Sequence, residues 1–291
     1  MSWHTALRLG RVSNLPTVWT NVLAGLVLAG GQATHIRTLP LLAAMSLFYV
    51  GGMYLNDAFD ADIDARERPE RPIPSGLVSR GTVYAAGFAM LAVGELLLLW
   101  IGILLPDGTG PWPGVGGAGL AAAIVLYNRN HKDNPLSPLV MGVCRMLVYV
   151  IAGMCVASLP GPALVTGAVL VLAYLIGLTY AAKQENIGRV ANMWPLAFLA
   201  APLAYGLLTV GDAPLSSVAL LALAAWTGWC VFLFARRGPG DIPRGVVGLI
   251  AGISLVDAWL IASTEAPAIA AIACVGGFVL TLILQRFVPG T

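Results

Sequence analysis

The sequence predicts an all-α fold, a polytopic transmembrane helical bundle of about nine or ten spans, and three observations predict it. Hydrophobic residues fill 58% of the 291 positions, charged residues only 10%, and the mean hydropathy is +0.83. One water-soluble core cannot hide that much apolar surface, so the lipid bilayer is the expected solvent. Second, apolar stretches of roughly 16 to 24 residues recur along the whole length, each long enough to cross ~30 Å of hydrocarbon as a helix. Third, the basic residues alternate between connections, as the positive-inside rule requires.

Taken in order, the first stretch, 15–31, follows Arg8 and Arg11, and the second, 39–58, runs into a polar segment from Asn56 to Arg80. The third is 82–105. The fourth, 113–129, is the weakest, because it is short and begins in Pro111-Trp-Pro-Gly-Val-Gly-Gly117, which is rich in helix breakers. The fifth, 136–157, carries Arg145, and the sixth, 162–182, runs into a second polar segment from Tyr180 to Asn192. The last four are 192–210, 215–235, 244–263 and 267–287. With a cytoplasmic N-terminus, fourteen of the sixteen basic residues fall on the cytoplasmic side, Arg37 alone falls outside, and Arg145 lies within a span. Both termini are then cytoplasmic. The net charge of +2 reports topology and offers nucleic acid no basic surface. No short apolar core followed by a small-residue cleavage site opens the chain, so no removable signal peptide is expected. Cys144, Cys155, Cys230 and Cys274 lie inside predicted helices without metal-ligand spacing and read as small buried hydrophobes. His4, His35 and His131 fall in termini or loops with no ligand geometry. Residues 1–291 are expected to form a single domain.

Six of the fourteen acidic residues lie between positions 57 and 70. If the second span continues as a helix through Asp64, Asn56, Asp60, Asp64 and Asp57 share one face within about 100°, and Asp62 points the opposite way. Three carboxylates and an amide on one face repel unless a cation stands among them. Their hard oxygens suit Mg²⁺, so Asn56, Asp57, Asp60 and Asp64 are the candidate metal ligands. The segment leaves through Arg66-Glu-Arg68-Pro-Glu-Arg71-Pro-Ile-Pro-Ser-Gly76. Guanidinium groups on such a proline-stiffened turn suit bidentate phosphate contact, which makes Arg66, Arg68 and Arg71 candidates to hold a diphosphate. The plainer alternative is a solvated helix end whose acids pair with these arginines. Arg145 is costly inside a span and is expected to face a polar cavity. Asp257 at mid-span is expected to be buried and paired, and Glu95 to be structural.

Asn56-Asp57-x-x-Asp60-x-x-x-Asp64, followed by Arg68-Pro-x-Arg71-Pro-Ile-Pro-Ser-Gly76, resembles the first motif of the UbiA prenyltransferase superfamily. The approach Arg8-Leu-Gly-Arg11-x-x-Asn14-Leu-Pro16 agrees, and adds Asn14 to the substrate-binding residues. The resemblance implies that Asn56, Asp60 and Asp64 hold Mg²⁺ on the diphosphate of an isoprenyl donor. Its tail would lie among the helices, and a hydrophobic acceptor, aromatic or lipid-like, would attack the allylic carbocation left by ionisation. It also implies a second aspartate-rich motif after the sixth span. Here that stretch reads Tyr180-Ala-Ala-Lys183-Gln-Glu185-Asn-Ile-Gly-Arg189, keeping the tyrosine and lysine but no aspartate. Tyr180 and Lys183, with Asp60 and Asp64, are the candidate catalytic residues. Lys183 and Arg189 are expected to bind diphosphate, with Glu185, Gln184 or Asn186 retaining at most part of a second metal site, or Glu185 and Arg189 form a helix-surface ion pair. The stretch 134–147 looks more like the UbiA-like proteins of Ebo-type clusters than like quinone enzymes. That branch admits a second reading, a catalytically reduced protein that binds or moves a prenylated metabolite. The expected location is the cytoplasmic (inner) membrane of a bacterium, with the site toward the cytoplasm.

Overall fold

A computed structural model describes residues 1–132, 134–187, 193–209, 213–288 and 290, with the backbone alone for 184–187. Among the described residues the chain is helical throughout, with no strand. The helices are α1 Trp3–Leu9, α2 Leu15–Leu28, α3 Thr38–Glu67, α4 Arg80–Ile103, α5 Trp112–Asn130, α6 Ser137–Met154, α7 Pro162–Ile187, α8 Ala201–Leu208, α9 Pro214–Arg236, α10 Asp241–Ala262 and α11 Ala268–Leu284.

The protein is a multi-pass integral membrane protein. Helices α3, α4, α6, α7, α9 and α10 are each long and apolar enough to cross a bilayer, and Val12–Leu28, Trp194–Leu208 and Ala268–Leu284 are shorter apolar segments. With α5, these correspond to the ten stretches expected from the sequence. The seventh differs from expectation: Trp194–Ala200 is 3₁₀ and only Ala201–Leu208 is α-helical. Pro195 and Pro202 remove two backbone donors there, and an unbroken α-helix cannot form across them.

Helix α10 is the central element. Every residue from Ala251 to Ala262 is buried, because α2, α7, α9 and α11 surround it. Two apolar cores meet on α2 and α6. One joins them to α3, α4 and α5, the other to α7, α9, α10 and α11. The α2/α6 contact requires glycine at position 25, where a Cβ would stand 2.6 Å from the Tyr149 carbonyl oxygen and 2.7 Å from Ala152 Cβ. Gly25→Ala is therefore expected to destabilise the protein by about 1–3 kcal/mol through overpacking, read as a lowered unfolding midpoint in detergent.

The ends of the bundle differ in chemistry. At one end the sole outward basic residue expected from the sequence, Arg37, is buried and donates to the carbonyl of Cys155 at 2.7 Å and to that of Pro106. At the other end the connections after α3 and α5 meet near the last described side chains of α7, where Lys183 reaches Asn134. The α1–α2 junction and the residues after α11 join them, with Asn14 Nδ2 donating to the Gly290 carbonyl at 2.9 Å. That end carries the site.

Candidate active site

Helix α3 has 30 residues and is about 45 Å long, well beyond the ~30 Å that hydrocarbon demands. Asn56 falls about 27 Å from its start, so the last turns emerge from the apolar layer as they reach the acidic residues. The helix stops at Glu67 because Pro69 bars the α region to the residue before it, and Arg68 takes φ −144°, ψ 62°. The chain then folds back through a turn closed by Gly76 at φ 77°, a backbone region open to glycine.

As the helical projection requires, Asn56, Asp57, Asp60 and Asp64 are all buried, Asp64 at 2% exposure, while Asp62 is exposed and pairs with Arg80 at 2.9 Å. Buried like charges need partners, and three cations and an imidazole supply them. Arg71, returning from the proline turn, bridges Asp64 at 2.8 Å and Asp57 at 3.4 Å. Arg11 reaches Asp57 at 3.2 Å and donates to the Asn56 amide oxygen at 3.4 Å. From the α5–α6 connection, His131 Nε2 lies 3.3 Å and Lys132 Nζ 3.8 Å from Asp60. Asn128 of α5 completes the face, accepting from Asn56 at 3.2 Å and donating to the Gly52 carbonyl at 3.0 Å.

Arg11, Asn128, His131 and Lys132 enter the site although sequence reasoning gave them no role there. The absence of ligand spacing around His131 misled, because its partner comes from another helix. Tyr127, stacked on its ring at 5.0 Å, holds the imidazole in place. Arg11 is held at φ 41°, a left-handed conformation unusual outside glycine, and its carbonyl accepts from the Tyr49 hydroxyl at 3.2 Å. A cavity of about 570 Å³ adjoins the site, lined by Tyr127, His131, Lys132, Asn134 and Ser137 among others.

The other predicted residues are dispersed. Arg66 is exposed, and Arg68 is half-buried at the α3 terminus. Lys183 Nζ donates to the Asn134 carbonyl at 2.7 Å, which brings the end of α7 to the same connection that supplies His131 and Lys132. Tyr180, one turn earlier, packs on the larger core. The side chain of Glu185 and all of Arg189 lie outside the described residues. Asn14 is engaged with Gly290 and with Gln285 at 3.0 Å. Arg145 donates to Asn21 at 2.8 Å and Thr17 at 3.0 Å, with Tyr49 under its guanidinium at 5.7 Å. Asp257 is fully buried, as expected, and accepts from Asn21 at 3.0 and 2.8 Å and from the Tyr149 hydroxyl.

Among the described residues no three acidic, histidine or cysteine side chains converge on one point. The face offers only oxygen donors from three carboxylates and an amide, which fits Mg²⁺ by chemistry. The partners the carboxylates have in this structure are the protein's own cations.

A model of the UbiA prenyltransferase family matches residues 18–244, which includes the whole acidic face. The chain belongs to the UbiA prenyltransferase family. Among its relatives is a digeranylgeranylglyceryl phosphate synthase of Methanopyrus kandleri, 29% identical over 208 residues, 69% of each chain. Another, of Ignicoccus hospitalis, is 38% identical over 130 residues, 45% of this chain and 40% of that protein. The aligned region thus spans about two-fifths of the Ignicoccus relative, and 38% of the one from Sulfolobus acidocaldarius. The fold is that of a UbiA homolog from Aeropyrum pernix K1 solved in its apo form, with a TM-score of 0.65 at 17% identity, covering 86% of this chain and 96% of that one. A second solved structure, described as giving insights into digeranylgeranylglyceryl phosphate synthase in membranes, has a TM-score of 0.55 at 20% identity over 94% of this chain and 98% of that one.

Proposed function

We propose that this UbiA-family protein is an intramembrane prenyltransferase. It moves an isoprenyl group from an isoprenyl diphosphate to a hydrophobic acceptor, aromatic or lipid-like, with Mg²⁺, at the cytoplasmic face of the cytoplasmic membrane. One observation carries the reading: Asn56, Asp57, Asp60 and Asp64 are buried together at the lip of an apolar bundle, with Arg11, Arg71, His131 and Lys132 against them. Oxygen donors for a divalent cation and positive groups for diphosphate oxygens are what such a donor needs at one place. The named relatives, all archaeal synthases of a glyceryl phosphate lipid, favour the lipid-like acceptor.

Asn56, Asp57, Asp60 and Asp64 would hold the metal, which when bound supplies Lewis-acid stabilisation of the departing diphosphate. Arg71, with Arg66 in the last turn of α3 and Arg68 at its end, takes diphosphate oxygens, and Lys132 and Lys183 add charge from the α5–α6 and α7 sides. Tyr180 and Asn14 border the same end, and Glu185 and Arg189, which follow Lys183 in sequence, are proposed as further diphosphate or metal contacts. The apolar interior takes the isoprenyl tail and keeps water from the allylic cation. The C–O bond to diphosphate breaks, the acceptor bonds to the freed carbon, and the acceptor's proton leaves to solvent at the polar end.

One observation favours the second reading, a binding protein without turnover: the stretch from Tyr180 to Arg189 carries one carboxylate, Glu185, and no aspartate. Release of inorganic diphosphate from geranyl, farnesyl and geranylgeranyl diphosphates by the purified protein separates the two. Mg²⁺-dependent release with a prenylated product is the expected result. Donor binding without release would establish the carrier instead.

A further inference from the structure

A polar group stands apart from the site, deep in the apolar layer. Glu95 lies on α4 about 22 Å along the helix from Arg80, in a groove of about 540 Å³ between α4 and α5. The groove is lined by Phe88, Leu91, Ala92, Ala118, Ala122 and Val125 among others, and Phe88, Ala92, Ala118 and Ala122 are exposed on the outer surface of the bundle. It therefore opens sideways to lipid. Glu95 Oε2 is buried and, among the described residues, has no hydrogen-bond partner. Room for the carboxyl group is built into α5. A Cβ at Gly117 would overlap Oε2, and one at Gly114 would come within 3.1 Å of Oε1.

An acidic side chain at this depth whose Oε2 has no partner among the described residues is costly to leave unpaired. A neutral carboxyl group both donates and accepts a hydrogen bond, and hydrocarbon chains satisfy neither. We propose that the α4/α5 groove is a binding site for a membrane-dissolved neutral amphiphile bearing a hydroxyl group, a long-chain alcohol or phenol. Its hydroxyl pairs with Glu95 and its chain lies along Phe88, Ala92, Ala118 and Ala122. The hydroxyl matches a carboxyl group that can give and take a proton, and a cationic head would have to shed its hydration to reach the same depth. This site is independent of the prenyl-transfer reading and is tested by binding, so either can fail alone.

The experiment uses the full chain reconstituted in phosphatidylcholine vesicles containing a diazirine-tagged hexadecanol, with photolabelled peptides mapped by mass spectrometry. Labelling is expected to concentrate on α4 and α5 and to fall on addition of unlabelled hexadecanol. Glu95→Leu, which suits the lipid and keeps the volume, lowers it about fivefold, and Glu95→Gln, which still donates and accepts, retains most of it. Labelling spread evenly over the lipid-facing helices, or unchanged in Glu95→Leu, overturns the proposal. So does a preference for diazirine-tagged hexadecylamine that is lost in both variants, which would mark an ionised carboxylate binding a cation.

Discussion

Asp64→Asn is expected to lower Mg²⁺-dependent diphosphate release about a hundredfold or more, with the protein still folded in detergent. Asparagine has the shape of aspartate, so the packing around this nearly inaccessible side chain survives. What disappears is one negative charge from the face that would hold the metal, and with it the 2.8 Å ion pair to Arg71. Among the described residues Arg71 then keeps Asp57 alone, at 3.4 Å, which shifts a guanidinium proposed to take diphosphate oxygens. Asp60→Asn is expected to act in the same direction by releasing His131 and Lys132. Asp62→Asn is the control. Its side chain is exposed and among the described residues pairs only with Arg80, so turnover should stay within about twofold of the parent, as for other exposed ion pairs. Release assays and thermal midpoints on the three variants check this together. Parental rates in Asp64→Asn would remove the acidic face from the mechanism.

The largest effect on stability is expected at Asp257. Its carboxylate, fully buried on α10, accepts both bonds of the Asn21 amide and the Tyr149 hydroxyl, while the Asn21 carbonyl takes the Arg145 guanidinium at 2.8 Å. Helices α2, α6 and α10 are thereby tied by one polar cluster inside an otherwise apolar bundle. Replacing Asp257 by leucine leaves Arg145 charged with no anion nearby among the described residues and strands the Asn21 amide and the Tyr149 hydroxyl. The cost is expected to be about 3 kcal/mol, measured by the shift in denaturation midpoint in mixed detergent micelles. Asp257→Asn, which preserves an acceptor, should cost less. Arg145→Met added to Asp257→Leu should recover part of the loss, because the two charges are removed together. Strict additivity in that pair would show that Arg145 and Asp257 do not communicate through Asn21.

The polar end of the bundle was legible from order along the chain. Asn56, Asp57, Asp60 and Asp64 are neighbours on one helix, and helical geometry alone gathers them once the helix is known to pass position 64. The family was legible for the same reason, since its diagnostic residues are consecutive. Arg71 joins them through a turn of a few residues. His131 and Lys132 were not legible, since about seventy residues separate them from Asp60 and only the packing of α5 beside α3 brings them there. Arg11 depends on the docking of α1 and α2 against α3, and the polar cluster of Asp257 on three helices whose crossing no local pattern encodes.

The sequence by itself determined that this chain lives in a bilayer, which connections carry positive charge, and that one helix end holds a set of oxygen donors. Each of these follows from composition or from a period of 3.6 residues, which act over short distances along the chain. Only the tertiary structure decided which side chains meet those donors, that Arg145 turns to Asn21 and Thr17, and that the Glu95 carboxyl group packs against Gly114 and Gly117 of α5. Such choices depend on helix crossings, and these arise from the packing of whole faces against one another rather than from any residue and its neighbours in sequence.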